Sequence, residues 1–181
     1  FTLVIGGAKI ADKLEMVERF SPSVDRILLA GGPANTFFKA AGIPVGDSIV
    51  DDASLPFAKK NLTNPKVMLP VDVKVHAKKI LDVGGATMAA YGKVIAASRT
   101  IIWNGPMGFI EQKTYAHGTE ALWRAVAGNH TALIVVGGGE TVGSLVPGLA
   151  LPKNVFLSTG GGAMLEYLAG RKLPGIEALS K

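Results

Sequence analysis

Leu133-Ile-Val-Val-Gly-Gly-Gly-Glu-Thr141 is a short apolar run, mostly β-branched, that stops at a glycine cluster and then turns polar. The same order recurs along the chain. Leu3-Val4-Ile5 meets Gly6-Gly7, and a helical period runs on to Phe20. Ile27-Leu28-Leu29 meets Gly31-Gly32, ahead of a helix predicted over Ala34 to Ala41. Ile101-Ile102-Trp103 meets Asn104-Gly105-Pro106, and Val155-Phe156-Leu157 meets Gly160-Gly161-Gly162 before a helix through Leu168. In the opening stretch the helix is predicted to start at Thr141. Apolar runs without alternation are what strands buried on both faces look like. Strands alternating with helices imply crossover units and a parallel sheet. The expected fold class is therefore α/β, with three layers around a parallel sheet.

The first helix supports this, because Ile10, Leu14, Val17 and Phe20 recur at helical spacing with Asp12, Lys13, Glu15 and Glu18 between them. Parallel strands bring their C-terminal ends to one rim, where ligands of open α/β sheets bind. Glycine lets backbone N–H groups come close to a ligand, and the helix that follows offers its positive end. Five such turns on one rim point to a polyphosphate site; the plainer alternative is that the glycines only make tight turns. From Val50 to Gly92 the pattern is less regular. A helix is expected near Phe57 to Leu62, a strand at Val67 to Leu69, extended chain at Pro70-Val71-Asp72, a strand at Leu81 to Val83, and a helix from Thr87 toward Ala97. With no linker or second core in view, residues 1–181 read as one domain.

Composition narrows the function classes. The chain has 181 residues, 23 of them glycine, and a formal charge of +5. The cations are scattered, Lys59-Lys60 and Lys78-Lys79 being the densest spots, so a nucleic-acid partner is not expected. No apolar run approaches the ~20 residues of a membrane helix, and no basic leader precedes Phe1, which reads as the trimmed start of a strand. The absence of cysteine excludes a disulfide scaffold and fits a cytoplasmic location. Neither G-x-x-x-x-G-K-[ST] nor G-x-G-x-x-G occurs, and His76, His117 and His130 are isolated.

Seven ordered motifs carry a resemblance over nearly the whole chain. They are Ile5-Gly-Gly-Ala-Lys9 with Ala11-Asp12-Lys13; Gly31-Gly-Pro-Ala-Asn-Thr-Phe37; Leu69-Pro-Val-Asp72; Trp103-Asn-Gly-Pro-Met-Gly108 ending at Glu111; Gly137-Gly-Gly-Glu-Thr141; Ser158-Thr-Gly-Gly-Gly-Ala-Met-Leu-Glu166; and Leu173-Pro-Gly175. The set resembles the C-terminal domain of phosphoglycerate kinase. The resemblance implies a Rossmann-like domain, one half of a two-domain hinge kinase of glycolysis that interconverts ATP and 3-phosphoglycerate with ADP and 1,3-bisphosphoglycerate. This half would take ADP or ATP with Mg2+. Its partner would be an N-terminal phosphoglycerate-binding domain, in a monomer. The alternative is a non-catalytic nucleotide-binding module, and a dehydrogenase-like dinucleotide domain is disfavoured by the missing fingerprint.

By the same resemblance, Lys9 follows the transferring phosphoryl group. Lys13, one helical turn later, reaches the same phosphates. Gly7, Ala8, Gly31 and Gly32 form a flat slot for the adenine, with Leu81 and Ile49 on its opposite wall. Asn104 and Pro106 lie near phosphates and sugar, and Glu111 accepts from the ribose hydroxyls. Gly138, Gly139, Glu140 and Thr141 open a helix that Thr141 can cap while donating to a phosphate oxygen. Gly160, Gly161 and Gly162 frame the transferred phosphoryl. Glu140 stands where the family has an aspartate at the nucleotide-bound magnesium, and its extra methylene puts the metal affinity in question. Pro33 replaces a usual methionine, and Gly85-Ala86 replaces a proline-containing turn. The stretch between Asp72 and Asp82 is shorter than usual, so one face of the slot is expected to be open and nucleotide binding weaker or less base-selective.

Overall fold

The central strand β1 (Thr2–Ile5) pairs in parallel with β2 (Arg26–Leu29) on one side and β6 (Thr100–Asn104) on the other. In this computed structural model, which describes residues 1–179, β3 (Val67–Met68) extends the sheet beyond β2. On the far side lie β7 (Leu133–Gly137) and β8 (Val155–Ser158), giving the order β3-β2-β1-β6-β7-β8. Ser180 and Lys181, the end of the expected domain, lie outside the described residues. All five strands that precede the glycine turns belong to this parallel sheet. The strand order reverses between β1 and β6, which makes their C-terminal ends the switch point where a crevice opens.

Alternate side chains of each strand feed two separate cores. Leu3, Ile5, Ile27, Leu29 and Ile102 point to one. It is closed by α1 (Ile10–Phe20), α2 (Gly31–Ala40), α3 (Leu55–Asn61) and α7 (Gly161–Leu168). Val4, Leu28, Ile101, Trp103, Ile134 and Val136 point to the other, under α4 (Gly85–Ala97) and α5 (His117–Gly128). Burying one such aliphatic side chain contributes about 1.5–3 kcal/mol, so the two-sided strands are the main stabilising element. Trp103 and Trp123 meet at 4.7 Å between ring centroids, and Trp103 Nε1 donates to the Gly105 carbonyl at 2.8 Å. One end of the glycine turn after β6 is thereby fixed to the core.

Several boundaries differ from expectation for identifiable reasons. α2 begins at Gly31 rather than Ala34. Pro33 sits in the first turn, where a missing N–H leaves nothing unpaired. α4 begins at Gly85 because Asp72 caps it from outside: its carboxylate accepts from Ala86 N at 3.0 Å and Thr87 N at 2.7 Å. The Thr87 hydroxyl also donates to it at 2.6 Å, and these bonds hold Asp72 below the usual carboxylate range. α6 (Gly139–Gly143) is a single turn opening before Thr141, and α8 (Pro174–Leu179) ends the described chain. The sequence reading leaves out α5, whose apolar positions Leu122, Trp123 and Val126 are the buried ones.

The largest correction lies between Asp72 and Asp82. β4 (Val73–His76) and β5 (Lys79–Val83) form an antiparallel hairpin, where one short strand was expected. Its turn residues Ala77 and Lys78 have φ of +45° and +62°. That is the left-handed pair a two-residue hairpin needs, here without glycine or asparagine.

Candidate functional site

At the switch point, backbone packs directly on backbone. Gly6 N donates to Asn104 O at 2.9 Å, Gly7 N to Pro106 O at 2.8 Å, and Gly32 N to Gly7 O at 2.9 Å. Gly105 has φ of +91°, and a Cβ there would overlap the Gly6 carbonyl. A Cβ on Gly31, at φ +56°, would stand 2.8 Å from Gly7 O. Further along the rim, a Cβ on Gly161 would lie 2.5 Å from both Asn104 Nδ2 and Gly138 Cα. What these glycines do first is let three chain turns approach closely. Several of their N–H groups are already used inside the protein, including those of Gly105 and Gly138. The expectation that these turns present bare amides is corrected at Gly6, Gly7, Gly32, Gly105 and Gly138.

Over this junction lies a cavity of about 430 Å³. It brings together Gly7, Ala8, Gly31, Gly32, Ile49, Leu81, Pro106, Glu111 and Glu140 among the sequence-picked residues. The hairpin closes the side expected to be open: Val73, Ile80 and Leu81 line it. Two bonds hold the hairpin to the chain before Ile49. Ile80 N donates to Ser48 Oγ at 2.8 Å, and Asp47 N donates to Lys78 O at 2.8 Å. Asn35, Phe38 and Met107 also line this slot, and sequence reasoning gave none of them a role. The signal at Asn35 was a polar residue in the middle of an apolar helix.

A second cavity of about 290 Å³ holds Lys9, Lys13, Asn104 and Gly162, together with Arg171. The two spaces meet at Lys13, since a Cβ on Gly7 in the slot would lie 2.6 Å from Lys13 Nζ. Lys13 is buried, and its ammonium donates to the Gly6 carbonyl. Burial drives its pKa down to about 8, Glu140 partly restores it, and Lys9 lowers it further. Gly138, Gly139, Thr141, Gly160 and Gly161 line neither cavity.

Two picked residues turn out to be braces. Asn104 is buried and donates from Nδ2 to Gly137 O at 3.0 Å, tying β6 to β7. Thr141 is 1% exposed and does not cap α6; as the third residue of that turn, its hydroxyl accepts from Gly105 N at 2.8 Å. Asp82, unassigned by the sequence reading, lines the slot while accepting from Gly118 N at 3.0 Å at the start of α5. Its burial raises its pKa.

The family model described as phosphoglycerate kinase matches residues 1–171. The chain belongs to the phosphoglycerate kinase family. The phosphoglycerate kinase of Koribacter versatilis is 40% identical over 205 residues, covering 99% of this chain and 51% of the relative. That of Solibacter usitatus is 40% identical over 197 residues, covering 98% and 50%. Among solved structures, the phosphoglycerate kinase of Pyrococcus horikoshii superposes with a TM-score of 0.86 at 30% identity, covering 99% of this chain and 51% of that one. The Coxiella burnetii enzyme gives 0.84 at 35%, covering 99% and 52%. The chain thus spans about half the length of the phosphoglycerate kinases it matches. No helix among the described residues is long and apolar enough to cross a membrane.

Proposed function

We propose that this chain is the nucleotide-binding half of a phosphoglycerate kinase, taking ADP or ATP with Mg2+. The observation that carries the reading is the meeting at Lys13 of an apolar slot with a charged cavity, in which Lys9, Lys13 and Arg171 stand beside Asp12, Glu15 and Glu166. A nucleotide has the same two-part character, a flat base joined to a polyanionic tail. The base stacks between the glycine backbone of α2's start and Ile49 with Leu81. Glu111, at the slot, accepts from the ribose hydroxyls. Lys13 and Lys9 meet the phosphates. The first-turn N–H groups of α7, where Gly162 lines the second cavity, have no intrahelical partner, which suits them to an anion. Phosphoryl transfer asks for fixed positive charge on the equatorial oxygens more than for a base, and Lys9 supplies it.

Magnesium fits the residues present in one way. Among the described residues no cluster of three His, Asp or Glu stands ready for a metal. Magnesium is commonly held by one or two carboxylates plus substrate phosphates. Glu140 lines the slot, and its charge reaches Lys13, so it would supply the protein carboxylate. The bound ion would neutralise phosphate charge.

The phosphoglycerate site would lie on a second domain, as the double length of the relatives suggests. Isothermal titration should therefore show saturable Mg-ADP binding by this chain, and a coupled assay should show little or no turnover. Absence of nucleotide binding would reject the reading. Near-normal turnover by this chain would reject the division of labour.

A further inference from the structure

Among the described residues, one buried side-chain polar atom stands without a hydrogen bond, and it belongs to a residue lining the slot: Asn35 Oδ1. We propose that Asn35 reads the base, its carboxamide oxygen accepting a hydrogen bond from an exocyclic amino group, so that the slot prefers an amino-purine to an oxo-purine. The proposal rests on the nucleotide-binding reading above and adds the side chain that selects the base.

Asn35 sits on α2, one turn beyond the Gly31-Gly32 floor, and is 3% exposed. Its Nδ2 donates to Ile49 O at 3.2 Å. That bond fixes which end of the amide is nitrogen, because a carbonyl facing a carbonyl would repel. The oxygen is then left with two unused lone pairs. The neighbouring polar groups are already engaged with one another. Thr36 Oγ1 donates to Gly32 O at 3.0 Å and accepts from Asp51 N at 3.1 Å, and Ser48 Oγ accepts from Ile80 N. No donor from those groups is directed at Asn35.

Native interiors leave few such atoms, and each calls for a physical account. A base lying on the glycine floor provides one. Oδ1 is buried as it stands, so reading the base requires the soft Cβ–Cγ torsion of asparagine to turn it toward the amino group of a bound base. An oxo group in the same place would oppose acceptor to acceptor. The bond from Nδ2 to Ile49 O gives the same side chain a second role, tethering the chain at Ile49 to α2.

The test compares Mg-ADP with Mg-IDP, in which the C6 amino donor is replaced by an oxo acceptor and N1 changes from acceptor to donor. Calorimetry on the unmodified chain should give a Kd for Mg-IDP roughly tenfold weaker or more, the size of one hydrogen bond exchanged for a repulsion. In Asn35→Leu the two Kd values should converge, mainly through weaker Mg-ADP binding. The side-chain amide resonance of Asn35 in the unmodified chain should shift with Mg-ADP more than with Mg-IDP, a readout that needs no variant. Equal affinity of the unmodified chain for both nucleotides overturns the proposal and leaves the nucleotide site standing. An equal loss for both in a folded Asn35→Leu variant also overturns it, reducing Asn35 to a prop for Ile49. Failure to bind either nucleotide would instead remove the underlying reading and this proposal with it.

Discussion

The glycine floor of the slot and its hairpin wall face the same space but are built by different physics. On the floor, Gly6, Gly7, Gly31 and Gly105 let backbone touch backbone, so the arrangement has no room for any other residue. The wall is ordinary side-chain structure. Val73, Ile80 and Leu81 present apolar surface, and hydrogen bonds at Ser48 and Asp47 pin the hairpin in place. A floor of that kind fails all at once, whereas a wall of this kind weakens by degrees. Substitutions should separate the two.

The largest effect is expected at Gly105. Alanine there would need a left-handed backbone at φ +91° and would push a methyl group into the Gly6 carbonyl and the Lys13 ammonium. The ammonium ends a flexible side chain and can shift, but the Gly6 carbonyl is backbone at the end of a central strand and cannot. Gly105→Ala should lose about 4 kcal/mol or more, from strain and overpacking together. Urea denaturation measures this directly. A variant within about 1 kcal/mol of the parent would show that the junction is softer than its geometry says.

Lys13 comes next, and its effect has a definite sign with pH. Folding lowers its pKa from 10.5 to about 8, because burial disfavours the charged form. The stability tied to this group is therefore full above 10.5 and is lost as pH falls through about 8. A shift of that size corresponds to about 3 kcal/mol. Lys13→Met should lack the loss, ending up more stable than the parent at pH 7 by an amount of that order while binding Mg-ADP far more weakly. Parallel denaturation curves from pH 11 to pH 7 would check it. If the difference between the two proteins does not change with pH, Lys13 is better solvated than its burial implies. The floor thus carries a stability penalty for the sake of its ligand.

The contrast also explains what could be read from the sequence. The sheet was legible because its strands are buried on both faces and end in glycine, a pattern that survives without any partner in view. The glycine floor was legible for the same reason. The hairpin was not, since its turn uses Ala77 and Lys78 at positive φ, where sequence rules look for glycine or asparagine. An irregularity between Lys74 and Val75 breaks the alternation as well. Asn35 and Asp82 were missed because their roles depend on what packs across from them, Ile49 O in one case and Gly118 N in the other. Thr141 does not cap α6 although its spacing fits a cap, because its hydroxyl accepts from Gly105 N instead.

At the wall, Ser48→Ala removes the acceptor for Ile80 N. An unpaired backbone N–H that is partly buried costs about 1 kcal/mol. Stability should fall by that amount, and Mg-ADP affinity should fall a few-fold because the Leu81 side of the slot loosens. The floor should be untouched, so the pH response of Lys13 should persist in this variant. Loss of that response would mean that the wall and floor are one cooperative unit.

The smallest effect tests whether glycine matters in this chain through contact or merely through abundance. Gly92 lies inside α4, its backbone is not left-handed, and a Cβ added there meets nothing within 4 Å. It has none of the reasons that hold Gly105 in place. Alanine at such a position narrows the unfolded ensemble and suits the helix better, with a gain of about 0.5–1 kcal/mol. In a domain of this size Gly92→Ala should raise Tm by about 2–3 °C and leave Mg-ADP binding unchanged. Were it to destabilise the protein, the distinction between floor and wall would need another basis, because open space around a glycine would no longer identify one that can be replaced.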